Sequence, residues 1–229
     1  MAFGQFLPKT VRDLPAKGYL INAHASLLPR HRGASPIAHA ILCGDARTGI
    51  SVMRVDRAMD AGPVMAVREV AIGPTETTSE LTARLAFVAA DAILAAVEQI
   101  ALGTEVFLPQ DDAAVTLAPK ITRDDARLDW RETAVALARR VRAMAESPGA
   151  FTLLDGEPLR ILAAEARPSE RSGRPPGTVV AIAAKEIAIA TGGGALVPGI
   201  LQRPGGRPLP TADFLRGRPI PDGTVLTSR

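Results

Sequence analysis

The first part of the chain, up to about residue 107, has the hydrophobic pattern of an α/β fold. A short apolar run behind Gly18 predicts a buried strand over 19–22, and β-rich alternation predicts strands over 48–55 and 63–72. Short helices are predicted at 9–14 and 36–42. After the Thr-Thr-Ser-Glu sequence that begins at Thr77, apolar residues recur every three or four positions as far as Ile100. This spacing predicts one long amphipathic helix that ends at Gly103.

The pattern changes at residue 122 to one helix followed by short strands. Inward apolar positions predict a helix over 133–144, and five short apolar runs separated by Gly and Pro follow it, at 150–154, 159–164, 178–183, 186–190 and 195–202. Five short strands at this spacing indicate a small β-barrel. Residues 108–121 have no sustained period and predict a linker. We therefore expect a first domain at 1–107 and a second at 122–229.

Composition supports a folded chain with an uneven charge distribution. Of the 229 residues, 47% are hydrophobic, which is enough for a core in each domain. The net charge is +3, but residues 1–119 carry −2 and residues 120–229 carry +5. A basic second domain is typical of proteins that meet a polyanion, although a simple solvated surface explains an excess of five equally well.

The single cysteine and the absence of a charged-then-apolar leader predict a cytoplasmic protein. Cys43 excludes an internal disulfide and a cysteine zinc site, and its apolar surroundings predict a buried side chain. The longest apolar run, 81–102, is interrupted by Arg84, Asp91 and Glu98, which argues against a membrane span. We expect a monomer with no membrane association.

Candidate chemistry is concentrated at Asn22, His24 and Asp60. Asn22 and His24 are two residues apart, so they share one face at the end of the first strand. Asp60 lies on a Gly/Pro-rich loop between the next two strands. An amide donor, an imidazole and a carboxylate can together stabilise an oxyanion and move a proton. The alternative is that His24 is a structural histidine. Asp56, at the start of the same loop, is the weaker candidate, since such a residue often caps a turn.

Several separated pieces of sequence resemble the formyltransferases that use 10-formyltetrahydrofolate, in the methionyl-tRNA formyltransferase branch. The pieces are Asn-x-His-x-Ser-Leu-Leu-Pro from Asn22, Arg-Gly-Ala-x-Pro-Ile from Arg32, Asp-x-Gly-Pro from Asp60, and the glycine-rich and Ala-Asp-Phe-Leu-Arg-Gly pieces of the second domain. The resemblance implies formyl transfer to the α-amine of initiator methionyl-tRNA. The resemblance also implies that Asn22 and His24 donate to the formyl oxygen, and that Asp60 orients His24 and accepts the proton that the amine loses.

The resemblance also implies where the cosubstrate and the tRNA bind. Folate would contact the N-terminal segment (Gln5, Phe6, Leu7), the turn after the first strand (Ser26, Leu27, Leu28, Pro29) and the start of the catalytic loop (Val55, Asp56). No metal is implied. The fold implied is a partial doubly wound α/β formyltransferase core followed by an OB-like β-barrel that contacts tRNA.

One departure from the family pattern sets a further expectation. Roughly ninety residues of βα units that open the doubly wound sheet in this family are absent before Met1, so a parallel strand at 19–22 would lose neighbours on one side. We expect an open edge and little activity from such a truncated chain. Two other functions remain open: a formyltransferase that acts on a small amine, and an inactive remnant whose second domain binds RNA.

Overall fold

The computed structural model describes residues 9–12, 14–168, 173–183 and 186–228, and these form two compact units. Unit 1 contains most of the chain up to Ile121, and unit 2 contains Thr122–Arg229 with two short pieces, Ile41–Cys43 and Thr77–Ser79. Residues 108–121, predicted as a separate linker, lie in unit 1. Leu108 pairs with Val64 there, and Arg32 pairs with Leu117.

Unit 1 is built on a three-stranded sheet with order β1-β2-β3. Helix α1 spans Lys9–Arg12, β1 spans Ile21–His24, α2 spans Pro36–Cys43, β2 spans Arg47–Arg54, β3 spans Val64–Ala71 and α3 spans Thr78–Leu102. The central strand, β2, is buried over six consecutive residues, as its run of apolar and small side chains dictates. A 3-10 turn at Asp112–Ala114 follows.

The pairing of this sheet differs from the expected one. β1 pairs antiparallel with β2, and β2 pairs antiparallel with β3, so the parallel pairing expected of 19–22 is not found among the described residues. β1 also starts later and extends further than predicted, and therefore includes His24. Its register places Asn22 opposite Met53 and His24 opposite Ser51.

Helix α3 has one buried side and one apolar side that is exposed. Its buried residues recur at helical spacing and are Leu81, Leu85, Ala92 and Ala96. Val88 and Ile100, predicted as core, are only half-buried, and Phe87, Leu94, Val97 and Leu102 are exposed. By length and composition α3 could cross a membrane, a property that core helices of soluble proteins share. Cys43 is exposed, so its predicted burial was wrong.

Unit 2 consists of a curled antiparallel sheet with a helix on either side of it in sequence. After a 3-10 turn at Asp124–Ala126 come α4 (Ala134–Ala143), β4 (Phe151–Leu154), β5 (Glu157–Arg167), β6 (Val179–Ala183), β7 (Glu186–Ala190), β8 (Ala195–Gln202), β9 (Leu209–Pro210) and α5 (Thr211–Gly217). The strand order is β4-β5-β8-β7-β6, with β9 paired to β8. All five predicted strands and the predicted helix are present, and the sheet forms a half-barrel of the OB-like type.

The core of unit 2 follows from its periodicity. Thr133 caps α4 by accepting a hydrogen bond from the backbone amide of Ala136, and Leu137 and Val141 are then buried on one face. They join fully buried residues of the central strands, including Ile161, Leu196 and Leu201. Trp130 is buried as well, and its indole Nε1 donates to the Thr152 hydroxyl at 3.0 Å.

Candidate active site

The ring of His24 is buried, and both of its nitrogens face oxygen atoms. Nε2 lies 2.9 Å from the carbonyl oxygen of His31, and Nδ1 lies 3.6 Å from Oδ2 of Asp60. A carbonyl oxygen only accepts hydrogen bonds, so Nε2 carries a proton and Nδ1 is the nitrogen directed at Asp60. A separation of 3.6 Å is slightly too long for a direct hydrogen bond, but it places the ring and the carboxylate next to each other.

The carboxylate of Asp60 is held against the sheet by its loop and by Gly33. Its Oδ2 accepts a hydrogen bond from the Gly33 backbone amide at 2.9 Å, and only 15% of the side chain is exposed. The backbone at Asp60 is left-handed, with φ 52°, a conformation that aspartate adopts more readily than most residues. Gly33 is required at its position, because a Cβ there would lie 2.5 Å from the Ala118 carbonyl oxygen. The structure therefore brings His24 and Asp60 together across 36 residues of sequence.

Asn22 lies on β1 with His24, two residues before it. At the two-residue period of a strand the two side chains share one face of the sheet. Asn22 is half-buried, so its amide remains partly accessible to a ligand. The strand thus presents a neutral amide beside an imidazole that is already paired with a carboxylate.

The turn Ser26–Pro29, predicted to contact folate, is fastened to the sheet by Ser51. The Ser51 hydroxyl donates to the Ser26 carbonyl oxygen at 2.7 Å and accepts from the Leu28 amide at 3.0 Å. The Ser26 hydroxyl closes the turn by donating to the Arg30 carbonyl oxygen at 2.6 Å. The Leu28–Pro29 peptide is cis. Leu27, Leu28 and Pro29 are half-buried, so they offer apolar surface beside His24.

The other predicted folate contacts are less closely placed. Val55 follows β2 and its amide donates to the Leu20 carbonyl oxygen at 2.8 Å, whereas Asp56 is exposed and accepts from the Arg57 amide at 2.6 Å. The Asp56 contact is a local one of the kind that stabilises a turn. Gln5, Phe6 and Leu7 lie outside the described residues.

Several residues around the site were not singled out from the sequence. His31 is buried with φ 58°, and its Nε2 lies 2.7 Å from Asp45, whose other oxygen accepts from Arg30 at 2.7 Å. This pair anchors the carbonyl group that binds His24. Gln110, in the predicted linker, contacts the backbone of the Asp60 loop. Ser51 could have been found as a hydroxyl flanked by apolar residues in the middle of a strand; Gln110 had no such signal.

A second polar group lies just before β1 in the sequence. The Tyr19 hydroxyl donates to Glu105 at 2.9 Å, and partial burial together with that carboxylate raises the pKa of Tyr19. The pKa of Glu105 is lowered by a backbone hydrogen bond and by Tyr19. Within the described ranges no group of three or more His, Cys, Asp or Glu side chains has a metal-binding arrangement.

Two family models match the chain, and together they span nearly all of it. The formyl transferase model matches residues 1–97, and the formyl transferase C-terminal domain model matches residues 120–219. The first match contains the His24 and Asp60 site, and the second contains α4 and the half-barrel.

Curated relatives and solved structures agree with these matches. Methionyl-tRNA formyltransferase from Thiobacillus denitrificans is 45% identical over 98% of this chain and 72% of its own length, and that from Granulibacter bethesdensis is 47% identical over 98% and 69%. Two solved structures share the fold at lower identity. HypX from Aquifex aeolicus in complex with tetrahydrofolic acid has a TM-score of 0.68 at 22% identity, over 93% of this chain and 37% of that one. Methionyl-tRNA formyltransferase from Clostridium thermocellum has a TM-score of 0.56 at 18% identity, over 73% and 71%.

Proposed function

Because this chain belongs to the methionyl-tRNA formyltransferase family, we propose that it transfers the formyl group of 10-formyltetrahydrofolate to the α-amine of initiator methionyl-tRNA. The observation that carries the proposal is the approach of His24 Nδ1 to the Asp60 carboxylate, at 3.6 Å, on the face of β1 that also carries Asn22. These are the groups that an acyl transfer to an amine requires.

The chemistry begins when the free amine attacks the formyl carbon. The new C–N bond places negative charge on the formyl oxygen, and the Asn22 amide donates a hydrogen bond to that oxygen. Since Nε2–H of His24 is bound to the His31 carbonyl oxygen, His24 donates from Nδ1–H of its imidazolium form. The bond from the formyl carbon to N10 of the folate then breaks, and the electron pair leaves with N10. Asp60 accepts the proton that the attacking amine loses, directly or through one water, and this proton is delivered to the departing nitrogen.

The folate occupies the surface beside this site in the proposal. Ser26, Leu27, Leu28 and Pro29 supply its first wall and Val55 and Asp56 its second. Gln5, Phe6 and Leu7, which lie outside the described residues, are further folate contacts in the proposal. The support for the first wall is its rigidity: Ser51 bonds the turn at two points, so the apolar side chains are held in place before a ligand arrives.

Unit 2 supplies the surface for the tRNA backbone in the proposal. Residues 120–229 carry 17 Lys and Arg against 12 Asp and Glu. Two of these cations, Arg123 and Arg127, lie over the ring of Phe151, with guanidinium-to-centroid distances of 5.7 and 5.3 Å. Stacking on the ring restricts both side chains. Arg127 is held further by the Ser228 carbonyl oxygen, at 2.8 Å, and by a 3.4 Å ion pair with the exposed Asp124, so Arg123 is the better placed of the two to contact a phosphate group.

The proposal is tested by measuring formylation of methionyl-tRNA with 10-formyltetrahydrofolate. Removal of one donor to a developing oxyanion costs about 10²–10³ in rate, so His24→Asn and Asn22→Ala are each expected to lower kcat by that factor. Asp60→Asn removes the proton acceptor and should lower kcat by a comparable factor.

Matched controls separate chemistry from general damage. His39→Asn changes a histidine of α2 whose Nε2 contacts only the Pro119 carbonyl oxygen, at 3.1 Å, and Asp91→Asn changes an exposed carboxylate of α3. Both should leave kcat unchanged. Equal losses in the site and control variants would contradict the assignment.

The acceptor is tested by salt and by competition. Binding of initiator tRNA without its amino acid should weaken steeply as the salt concentration rises, because each phosphate contact releases counterions. Affinity that does not respond to salt would remove the support for a tRNA acceptor. Formylation of a nucleotide amino sugar but not of methionyl-tRNA would replace this function by the small-amine one, and RNA binding without any formyl transfer would indicate the inactive remnant.

A further inference from the structure

Gln110 lies 50 residues from Asp60 in sequence and contacts the backbone of its loop. Its amide nitrogen, Nε2, donates to the carbonyl oxygens of Asp60 and Gly62, at 2.8 and 2.7 Å. Its amide oxygen, Oε1, accepts from Nε and Nη2 of Arg32, at 3.0 and 2.8 Å. Both donors and both acceptor positions of the amide are therefore used, and the opposite amide orientation would turn oxygen against two carbonyl groups.

The loop that carries Asp60 depends on contacts from outside. A backbone hydrogen bond within it, from Ala61 to the Ala58 carbonyl oxygen, is long at 3.4 Å. Asp60 itself has a left-handed backbone, with φ 52°. A conformation of this kind persists when surrounding groups hold it. The two hydrogen bonds from Gln110 to the Asp60 and Gly62 carbonyl oxygens stabilise this conformation.

The Arg32–Gly33 segment contacts Asp60 in two ways, directly at its carboxylate and through Gln110 at its backbone. The Gly33 amide binds the Asp60 carboxylate at 2.9 Å, while the Arg32 side chain binds Gln110. Arg32 is fixed in turn by its own backbone, which bonds the Thr116 carbonyl oxygen at 2.9 Å and the Ala118 amide at 2.7 Å. The carboxylate and the backbone of Asp60 are thus located relative to one rigid segment.

The Arg32 guanidinium is directed mainly at a neutral partner. Its side chain is 11% exposed, and its ion pair with Asp112 is 3.4 Å long with a carboxylate that is 92% exposed. Such an exposed ion pair contributes little to stability and does little to fix the guanidinium. The fork of the guanidinium on the Gln110 oxygen, by contrast, sets the direction in which the amide nitrogen points.

We propose that Gln110, oriented by Arg32, is a positioning residue that sets the place of the Asp60 carboxylate opposite His24. This inference rests on the proposed function for its effect on rate. Gln110 does not touch the reacting atoms and acts through the Asp60 loop.

The most informative variant is Gln110→Glu in the full chain. A glutamate keeps the shape and retains an oxygen for Arg32, but it replaces both donated hydrogen bonds by an oxygen facing two carbonyl oxygens. Displacement of a catalytic group by about 1 Å costs roughly 10²-fold, so we expect kcat to fall between about 10-fold and 100-fold with little change in the KM for 10-formyltetrahydrofolate.

A double-mutant cycle with Asp60→Asn separates positioning from a general structural role. If Gln110 acts through Asp60, Gln110→Glu should cost less than about two-fold once Asp60 is already changed, because residues that act as a unit are not additive. An equal loss in both backgrounds would overturn the inference. The matched control is Gln202→Glu, which changes a glutamine of unit 2 whose Nε2 donates to the Gly206 carbonyl oxygen at 2.8 Å, and which should leave kcat unchanged.

A second readout does not depend on activity. The Gly33 amide is bonded to the Asp60 carboxylate, so its hydrogen exchange, followed by NMR, reports directly on the position of that carboxylate. Exchange should accelerate in Gln110→Glu and stay unchanged in Gln202→Glu. Unchanged exchange at Gly33 would overturn the inference even if the parent chain formylates methionyl-tRNA. Accelerated exchange in a parent chain that does not formylate methionyl-tRNA would uphold the inference and reject the proposed function.

Discussion

Unit 1 and unit 2 bury different kinds of polar side chain. Among the described residues the buried polar side chains of unit 1 include two histidines, and they are His24, Ser26, His31, Thr48 and Ser51. Those of unit 2 are three threonines, Thr152, Thr178 and Thr211. Burial of an ionisable group is costly unless partners hold it, whereas a threonine hydroxyl needs only one carbonyl oxygen. Unit 1 therefore buries ionisable side chains as well as neutral ones, whereas the buried polar side chains described in unit 2 are all neutral.

The difference sets an expectation about mutations. In unit 1 the contacts around His24 and Asp60 fix the positions of the proposed catalytic groups, so loss of these contacts should first lower kcat. In unit 2 the contacts around Trp130 and Thr152 only satisfy buried polar atoms, so their loss should appear as loss of stability. Three predictions test this contrast.

The largest effect is expected for Gly62→Ala in unit 1. A Cβ at this position would lie 1.8 Å from the Arg54 carbonyl oxygen, so the Asp60 loop must move away from β2. We expect kcat for formylation to fall about 10²-fold, since a shift of about 1 Å in a catalytic group has that cost, while the free energy of unfolding falls by about 1–3 kcal/mol. Steady-state kinetics and urea unfolding measure the two quantities.

Gly217→Ala is the control for that change. Gly217 ends α5 in unit 2, and a Cβ there meets no atom within 4 Å. It should leave kcat and stability nearly unchanged. A fully active Gly62→Ala protein would show that the position of the Asp60 loop does not matter for rate.

The second effect is expected for Thr152→Val in unit 2. The Thr152 hydroxyl accepts from the Trp130 indole at 3.0 Å and donates to the Thr227 carbonyl oxygen at 3.0 Å. Valine leaves a buried indole N–H without a partner, so the free energy of unfolding should fall by about 1–3 kcal/mol with kcat unchanged. Trp130 is the only tryptophan, so its fluorescence follows the unfolding.

Thr104→Val provides the comparison for this variant. The Thr104 hydroxyl is exposed and bonds the Gln99 carbonyl oxygen at 3.3 Å, so its removal should change stability by only a few tenths of a kcal/mol. If kcat of Thr152→Val falls by more than the fraction of protein that is unfolded, the expected difference between the two units is contradicted.

The smallest effect concerns an exposed ion pair of unit 2. Hydrogen bonds from Arg131, the nearest at 2.5 Å, lower the pKa of Asp129 to about 2 from its ordinary value of 3.8. A lowered pKa in the folded state stabilises the protein above pH 3.8, and this contribution is lost as the pH falls toward 2. Arg131 is 83% exposed, so solvent screens the pair and its contribution to stability is small.

Arg131→Gln tests that pair directly. The pKa of Asp129, followed by carboxyl NMR, should rise toward 3.8, and the stability of the variant should match that of the parent near pH 2. Arg216→Gln, which breaks an exposed pair with Asp213 on α5, is the comparison and should leave the Asp129 titration unchanged. An Asp129 titration that does not move in Arg131→Gln would show that the pair does not form in solution.

Local pattern was sufficient for most secondary structure and for the chemical groups of the site. α4 could be predicted because its cap, Thr133, and its buried face, Leu137 and Val141, lie within a few turns of one another. The pairing of His24 with Asp60 was anticipated as a hypothesis from their positions at strand ends, and the 3.6 Å separation supports it. Their catalytic roles, and those of Asn22, stay proposals for the kinetic test.

The sequence by itself determined where most of the strands and helices form, because apolar spacing and capping act over a few neighbouring positions. Only the tertiary structure decided that β1 pairs antiparallel with β2, since strand direction depends on how distant segments meet. It also decided that Gln110, in a stretch without any period, bonds Asp60 and Gly62, and that Arg32 orients it. Such contacts join residues 48–78 positions apart, and no local pattern specifies a hydrogen bond over that distance.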